Sequence, residues 1–274
     1  MKISEEGVLP LWWWDHAPNF GDLLSPWLVA QLTGHKAVRG DRTAQAHGLA
    51  IGSIVAYASR YSTVWGSGAF GTETKGNLDP DADYRAVRGP LTRNILRING
   101  IDCPPVYGDP ALLVPMFVRM RPEVSHEVGV CVRWNEKRWH EIEEPPGVKL
   151  INFGSTNVEA ILNDLLACER VVTSSLHGLI LADAFGIPSA WLRSNSPTGL
   201  EFKFYDYFLS VGKLRKPQAF HLNRPDLSVR ALRRLTFDDR QIDFSADELL
   251  AASPWSSADA ERTLDWPAPP GSSP

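Results

Sequence analysis

The stretch from Glu169 to Leu192 carries the pattern that most restricts how this chain can fold. A short β-branched run at residues 171–173 is followed by two serines and then by apolar residues spaced as on one face of a helix. This pattern predicts a strand, a tight corner and a helix, the repeating unit of open α/β sheets. Ser174 and Ser175 are predicted to accept hydrogen bonds from the free N–H groups of the first helical turn.

His177 falls in the first turn of that predicted helix. In open α/β sheets ligands bind beyond the carboxyl ends of the strands, which is where this turn should lie. The positive end of the helix dipole disfavours an imidazolium, so we expect a neutral imidazole that can accept a proton near neutral pH. The alternative interpretation is a histidine that caps a core helix.

Length, charge and cysteine content limit the class of protein. The length of 274 residues suggests two domains or one large one, and the 43% apolar content suffices for a buried core. The net charge of −4 disfavours a nucleic-acid binder. Cys103, Cys131 and Cys168 are far apart and are predicted to be buried thiols. The acidic N-terminus, and the lack of any apolar run near the ~18 residues that span a bilayer, predict a cytoplasmic protein.

The first half of the chain begins with a predicted strand at residues 8–14, the loop DHAPNFGD and a helix over LLSPWLVAQLT that Gly34 ends. Asp22 or Ser25 is predicted to cap this helix, with Pro26 in its first turn. The loop offers candidate ligand contacts at His16, Asn19, Gly21 and Asp22. A loop of this composition is equally typical of a simple turn.

A glycine loop follows the next apolar segment. Gly66, Gly68 and Gly71 fit G-x-G-x-x-G after a plausible strand. The dinucleotide fingerprint also requires a helix immediately behind the glycines, and turn-forming residues stand there instead. The sequence therefore predicts a loop rather than an NAD site, although backbone N–H groups around Ser67 and Gly68 could still contact an anion.

The segment YRAVRGPLTRNILRING predicts a short strand at residues 84–87 and a helix that starts at Pro90. The apolar residues predicted to form the buried face of this helix are Leu91, Ile95, Leu96 and Ile98. Arg88 precedes the helix N-terminus, where a guanidinium and free N–H groups together suit a phosphate or carboxylate. A surface arginine in a turn is the alternative.

The remaining segments predict a second sheet. Residues 104–115 are interpreted as a strand running into a loop that holds Asp109, and a linker follows. Strand, strand, helix, strand, helix and strand come next, an order typical of a parallel sheet. The predicted fold is α/β, with two Rossmann-like parallel-sheet domains facing a cleft, at residues 1–120 and 121–222. Residues 223–274 are predicted to be a helical extension with a disordered Pro/Gly/Ser-rich tail.

Six segments of the sequence occur together in the order found in one known family: NFGD, GSG, VRGPLTR, YGDPALL, SSLHGLILADAFGIP and KFYDYFLSVG. Through these motifs the chain resembles the polysaccharide pyruvyl transferase family over roughly residues 10 to 212. The resemblance implies a GT-B-like enzyme that moves the enolpyruvyl group of phosphoenolpyruvate, as a ketal, onto a sugar. Its acceptor would be an exopolysaccharide or a lipid-linked oligosaccharide. Phosphoenolpyruvate would be a donor substrate, and the resemblance implies no cofactor.

Carried onto this sequence, the resemblance implies that His177 and Asp22 are catalytic and that Arg88 binds phosphoenolpyruvate. Further substrate contacts are expected at Asn19, Gly21, Ser67, Gly68, Asp109, Ser174, Ser175, Leu176 and Lys203. The role of His177 stays open between removing a proton from the attacking hydroxyl and delivering one to C3 of the donor. No cluster of histidines and acidic residues at metal-ligand spacing is visible, so no metal site is predicted.

Two departures from the family pattern affect these expectations. Some members carry an arginine where this chain has Ser175, so either Lys203 or Arg193 replaces that cation or Arg88 and backbone amides hold the anion. The second domain lacks a histidine that relatives carry, and Arg133 is a candidate substitute. Two other hypotheses therefore stay open: a GT-B glycosyltransferase using a nucleotide sugar, and a non-catalytic glycan-binding relative.

Aromatic and basic residues outside these motifs receive weaker assignments. Residues 12–14, three tryptophans in a row, are expected in the core, whereas Trp134 or Trp139 could present a flat face to a sugar. The helix predicted in DLSVRALRRL carries Arg230, Arg233 and Arg234. These arginines could touch the inner face of a membrane, but a solvated helix face is the favoured interpretation.

Overall fold

A computed structural model describes residues 7–118, 121–136, 142–193, 201–220 and 227–255. Two parallel sheets with helices packed against them confirm the predicted α/β class. The strands of the first sheet are β1 (Val8–Leu11), β2 (Lys36–Arg39), β3 (His47–Leu49), β4 (Ser62–Trp65) and β5 (Asp83–Ala86). Their order is β2-β1-β3-β4-β5, with every neighbouring pair parallel.

The second sheet comprises β6 (Val128–Val132), β7 (Val148–Asn152), β8 (Val171–Thr173) and β9 (Ser189–Trp191). Their order is β7-β6-β8-β9, and all pairs are again parallel. Strands β6 and β8 are buried along their whole length, as expected of parallel strands covered on both faces. The predicted second parallel sheet is therefore confirmed.

The helices are α1 (Phe20–Thr33), α2 (Pro90–Ile98), α3 (Val158–Leu166), α4 (Leu176–Phe185), α5 (Glu201–Ser210), α6 (Val229–Leu232) and α7 (Ala246–Ala251). Three 3₁₀ helices cover Val55–Tyr57, Lys75–Asn77 and Pro110–Phe117. Within the described ranges, no helix is long and apolar enough to cross a bilayer. The three cysteines are buried free thiols, as predicted.

Helix α1 begins earlier than the sequence predicted. The side chain of Asn19 accepts a hydrogen bond from the Gly21 N–H at 3.3 Å and caps the helix, so neither Asp22 nor Ser25 does so. Pro26 consequently lies inside the helix rather than in its first turn. Gly34 ends the helix in the left-handed conformation, with φ of 73°.

Helix α2 begins at Pro90 as predicted, but its buried face differs. Thr92, Ile95 and Leu96 are buried, whereas Ile98 is 73% exposed. Ile98 comes two positions after Leu96 and therefore projects about 200° away around the helix. The polar Thr92 takes the inner position because it meets a buried carboxylate, described below.

The segment predicted as a strand at residues 104–115 contributes an isolated bridge between Val87 and Tyr107 and then a 3₁₀ helix. Asp109 caps that 3₁₀ helix by accepting a hydrogen bond from the Ala111 N–H at 3.0 Å. The two prolines in Pro110–Phe117 favour this tight form over a strand. The 3₁₀ helix packs against α1 and α4, and a single hydrophobic cluster joins the two sheets through it.

The chain returns to the first sheet near its C-terminus. Helix α7 packs on the 3₁₀ helix Pro110–Phe117, and Trp255 lies edge-on to Trp65 with ring centroids 5.6 Å apart. The indole of Trp65 donates a hydrogen bond to the Leu249 carbonyl at 2.7 Å. The basic residues of the α6 region, Arg230, Arg233 and Arg234, are exposed. The predicted disordered tail lies outside the described residues.

Candidate functional site

A cavity of about 320 Å³ lies where carboxyl ends of strands from both sheets open. Trp14 reaches the cavity beyond β1, and Ser53 does so beyond β3. Arg133 follows β6 directly, and Ser175 stands two residues beyond β8. The cavity therefore occupies the position at which open α/β sheets bind ligands.

The first turn of α4 faces this cavity, and no side chain among the described residues caps its N–H groups. Ser175 occupies the capping position but its hydroxyl makes no capping hydrogen bond, and Ser174 donates instead to Glu136 at 3.0 Å. The predicted capping by these serines is therefore wrong. Ser175, Leu176 and His177 all line the cavity. Free N–H groups and the positive end of the helix dipole make this turn a site for an anion.

Helix α1 approaches His177 very closely at Gly21. A Cβ on Gly21 would lie only 2.0 Å from Nδ1 of His177, so any side chain there would displace the imidazole. Gly21 does not line the cavity, and its role is to let the two helix N-termini come together.

Nε2 of His177 lies 3.7 Å from Oδ2 of Asp109. Both atoms are buried, and neither has a hydrogen-bond partner in the part of the chain that the structure describes. Asp109 is completely buried and is held by its other oxygen at the cap of the 3₁₀ helix. A carboxylate facing Nε2 favours the tautomer that carries its proton there, which leaves Nδ1 as the acceptor.

Asp22 also lines the cavity, and Nδ2 of Asn19 donates to its Oδ2 at 2.6 Å. Burial raises the pKa of Asp22 to about 6, although His177, Asn19 and Lys203 each act to lower it. A carboxyl group with this pKa exchanges its proton close to neutral pH. Asp22 can therefore act as an acid or as a base within the cavity.

Two cations, Lys203 and Arg133, line the cavity. Lys203 is half-buried, and within the described ranges no carboxylate forms an ion pair with it. Desolvation, followed by the charges of Arg133 and Arg88, lowers the pKa of Lys203 to about 8. Arg133 donates to Oδ1 of Asn135 at 2.9 Å and lies 3.9 Å from Glu136. Two neighbouring positive charges favour a ligand with more than one negative charge.

Arg88 is completely buried behind the cavity wall, so it is neither a surface arginine nor exposed to the cavity. Its guanidinium donates to Asp206 at 3.0 Å, to Ser53 Oγ at 2.7 Å and to the Ala69 carbonyl at 2.6 Å. The predicted role of Arg88 in binding the donor stays a prediction. Ser53 connects Arg88 to the cavity, because its hydroxyl accepts a hydrogen bond from Arg88 and its side chain lines the cavity.

The other expected contacts divide into two groups. Asn19, Leu176 and Lys203 line the cavity together with Asp22, Ser175 and His177. Ser67 and Gly68 lie behind the wall: the Ser67 hydroxyl donates to the Gly52 carbonyl at 3.1 Å, and a Cβ on Gly68 would lie 2.1 Å from the Arg88 guanidinium carbon. Arg193 is exposed and does not line the cavity.

Aromatic residues form the outer part of the cavity. Trp134 is 37% exposed, and its ring centroid lies 5.9 Å from that of Trp14. Tyr57 and Phe70 also line the cavity. Trp14, which the sequence predicts to be in the core, and Ser53, for which it predicts no role, both stand a few residues beyond the end of a strand. That position after a strand is the signal in the sequence that could have identified them. Trp139 lies outside the described residues.

No group of three or more histidine, cysteine or acidic side chains suited to a metal occurs among the residues that the structure describes. The cavity instead combines two cations, an uncapped helix N-terminus, an imidazole and a carboxyl group. Such a set can bind an anion and move protons beside it.

Comparison with known proteins links this site to a family. The model of a family described as polysaccharide pyruvyl transferase matches residues 63–196. The matched range includes Arg88, Asp109, Arg133 and His177, whereas Asp22 and Lys203 lie outside it.

Two relatives extend the similarity. The chain is 29% identical, over 177 residues, to the uncharacterized protein L143 of Acanthamoeba polyphaga mimivirus, which is 61% of each chain. It is also 29% identical, over 234 residues, to the succinoglycan biosynthesis protein ExoV of Rhizobium meliloti (strain 1021), which is 81% of this chain and 69% of ExoV. The family model and the match to ExoV confirm the resemblance carried by the ordered motifs: this chain is similar in sequence to the polysaccharide pyruvyl transferase family.

Proposed function

We propose that this protein transfers the enolpyruvyl group of phosphoenolpyruvate to a sugar of an exopolysaccharide or a lipid-linked glycan, forms a ketal and releases phosphate. One observation supports the proposal most: Lys203, Arg133 and the uncapped N-terminus of α4 surround the same cavity as His177. Similarity to the pyruvyl transferase family supports transferase chemistry, and the relative ExoV is a protein of succinoglycan biosynthesis.

The donor carries a carboxylate and a phosphate a few bonds apart. In our proposal the phosphate lies at the first turn of α4, where free N–H groups and the helix dipole stabilise it, and Lys203 and Arg133 neutralise the remaining charge. The Ser53 hydroxyl accepts a hydrogen bond from Arg88, so its own hydrogen can be donated to the donor carboxylate.

Protons then move as follows in the proposed reaction. Asp22, whose pKa is raised to about 6, gives a proton to C3 of the donor, and C2 becomes oxocarbenium-like. A sugar hydroxyl adds to C2 and loses its proton to His177, which Asp109 orients through Nε2. The bond from C2 to the phosphate oxygen breaks, and the phosphate leaves with the proton that His177 took up. A second hydroxyl of the same sugar then adds to C2 and gives its proton to the Asp22 carboxylate, which restores both residues.

The acceptor is proposed to lie at the aromatic end of the cavity. Trp14 follows strand β1 of the first sheet, and Trp134 follows strand β6 of the second. Both residues line the cavity, and their ring centroids lie 5.9 Å apart. Sugar CH groups pack on indole faces, so these rings suit a pyranose. A GT-B-like arrangement, in which each sheet supplies one wall of the site, is part of this proposal.

Phosphate release from phosphoenolpyruvate, measured against a panel of exopolysaccharide fragments and lipid-linked oligosaccharides, tests the function. We expect release only with a competent acceptor, and we expect phosphoenolpyruvate alone to raise the melting temperature. His177→Ala should abolish release but keep most of the thermal shift, because the cations and helix N-terminus remain. Stabilisation by a nucleotide sugar instead would favour glycosyl transfer, and stabilisation by neither compound would favour a non-catalytic relative.

A further inference from the structure

A fully buried cluster joins α5 to the first sheet, and the mechanism above does not use it directly. Asp206 of α5 accepts hydrogen bonds from Arg88 Nε at 3.0 Å, from the Thr92 hydroxyl at 2.6 Å and from the Thr92 N–H at 2.9 Å. Arg88, Thr92 and Asp206 are each 0% exposed. All three interactions cross from one half of the chain to the other.

Asp206 caps a helix to which it does not belong. The N-terminal residue of α2 in the capping position is Gly89, which has no side chain to offer. The carboxylate of Asp206 takes over this role by accepting from the N–H of Thr92, the third residue of α2. Separating the helices would leave a buried charge and a free N–H group unpaired, and both are costly.

Glycines allow this close approach. A Cβ on Gly89 would lie 2.0 Å from the Asp206 carbonyl oxygen, and one on Gly71 would lie 2.6 Å from Phe202 on the same helix. Thr92 also accepts a hydrogen bond from the Ala69 N–H at 2.9 Å, which ties the glycine loop to the cluster. The motif R-G-x-x-T and the glycine loop are thus both shaped around α5.

Lys203 lies on α5 three residues before Asp206, so the two side chains project from neighbouring positions of one helix face. Lys203 reaches the cavity, whereas Asp206 is anchored behind it. We propose that the Arg88–Thr92–Asp206 cluster, which we call the α5 clamp, is a positioning device that fixes the direction in which Lys203 enters the anion site. In this chain Arg88 would then act through α5 and Ser53 without touching the donor.

The clamp is tested with Thr92→Val, which removes the hydroxyl bound to Asp206, and with Thr92→Ser, which keeps it. We expect Thr92→Val to speed hydrogen exchange in residues 201–210, to change the rate at which an acylating reagent modifies Lys203, and to weaken phosphoenolpyruvate binding about tenfold. Thr92→Ser should restore all three measurements. Thr33→Val is the matched control, since Thr33 is a buried threonine whose hydroxyl bonds the Val29 carbonyl at 2.7 Å, in a different helix.

A double-mutant cycle separates positioning from direct binding. If the clamp acts through Lys203, Thr92→Val should have less than a twofold further effect on donor binding in a Lys203→Ala background. A full additional loss, or unchanged exchange and acylation in Thr92→Val, would overturn the proposal. Should Thr92→Val fail to fold, Asp206→Asn, which keeps an acceptor oxygen, gives the same comparison. The binding readout rests on the proposed function, but exchange and acylation decide the clamp even if the wild-type protein binds no phosphoenolpyruvate.

Discussion

Asp22 and Lys203 are the two residues whose charge the cavity alters most. Burial raises the pKa of Asp22 to about 6 and lowers the pKa of Lys203 to about 8. Between these values Lys203 is charged, while a fraction of Asp22 stays protonated near the lower value. A bound dianion would raise the pKa of Asp22 further and so favour the acid form that the proposed protonation of C3 needs.

Replacement of Asp22 by asparagine should make the protein more stable and inactive. The pKa of Asp22 rises from 3.8 in the unfolded chain to about 6 in the folded protein, so ionisation costs folding stability at neutral pH. We expect Asp22→Asn to raise the free energy of unfolding by about 3 kcal/mol at pH 7, since the new amide oxygen can still accept the hydrogen bond from Asn19.

The stability difference between Asp22→Asn and the wild type should shrink as the pH falls from 6 towards 4. Over this range the Asp22 carboxyl of the folded wild type becomes neutral, so it no longer carries a buried charge. Chemical unfolding at several pH values, alongside phosphate release, measures both effects. An equal stability difference at pH 4 and pH 7 would contradict the expected cause.

At the residue scale, the sequence predicted where the candidate site residues lie relative to strands and helices better than it predicted whether their side chains are buried. His177 lies in the first helical turn beside the cavity, as its place after β8 indicated. Arg88 has the predicted place before α2 but is buried, because its partner Asp206 is 118 positions away in the chain. Local pattern contains no information about a partner so distant. The protonation of Asp22 likewise depends on burial by the assembled fold.

At the scale of secondary-structure elements, helices α1 and α4 approach each other closely beside the cavity. Gly21 in the first turn of α1 rests directly against the imidazole of His177. Two helix N-termini are thus directed to one point, which concentrates positive potential at the anion site. Since the proposed phosphate position and the imidazole share this point, small shifts of either helix should alter turnover.

Gly21→Ala should abolish phosphate release without unfolding the protein. The new methyl would lie 2.0 Å from Nδ1 of His177, so the ring must move, although alanine is otherwise preferred to glycine in a helix by about 1 kcal/mol. Gly76→Ala is the matched control, because only Thr74 Oγ1 comes within reach there, at 3.9 Å. Melting temperature and turnover of both variants are the measurements. Normal turnover in Gly21→Ala would show that the position of His177 does not matter.

Strands and helices with strong apolar runs could be predicted from the sequence. The ends of helices, which depend on capping residues and prolines, could be predicted less well. Strands β6 to β9 and helices α2 to α4 fall where β-branched runs and helical spacing indicated. Asn19 extended α1 beyond the apolar segment, and the prolines of residues 110–117 turned a predicted strand into a 3₁₀ helix. The serines after β8 left α4 uncapped because Ser174 bonds Glu136, a contact between separate elements.

At the scale of the whole molecule, the two sheets are joined by one hydrophobic cluster that contains residues of both. The 3₁₀ helix Pro110–Phe117 packs between α1 and α4, and α7 packs on its surface. The strands of the first sheet lie within residues 1–120 and those of the second within residues 121–222. That these two ranges are separate domains stays a prediction. Sequence patterns could indicate two sheets but could not show that the connection between them would be buried.

Unfolding should therefore occur as a single cooperative transition. We expect calorimetry to give equal calorimetric and van't Hoff enthalpies, and Trp255→Ala to lower stability by about 3 to 5 kcal/mol in that same transition. Trp255 is 4% exposed and packs on Trp65 of the first sheet.

Ile98→Ala serves as the control, since a side chain that is 73% exposed should matter by less than about 0.5 kcal/mol. Two separate transitions, with only one sensitive to Trp255→Ala, would show instead that the sheets unfold independently.

The return of the C-terminal segment also affects how the protein can be made. Leu249 and Trp255 complete the packing around Trp65, a residue of the first sheet synthesised far earlier. A nascent chain that has displayed only its first half on the ribosome still exposes this indole to solvent. The hydrophobic packing of the first sheet can therefore be completed only after the last described helix has been synthesised. A chain terminated before that helix would expose a hydrophobic surface to which chaperones bind.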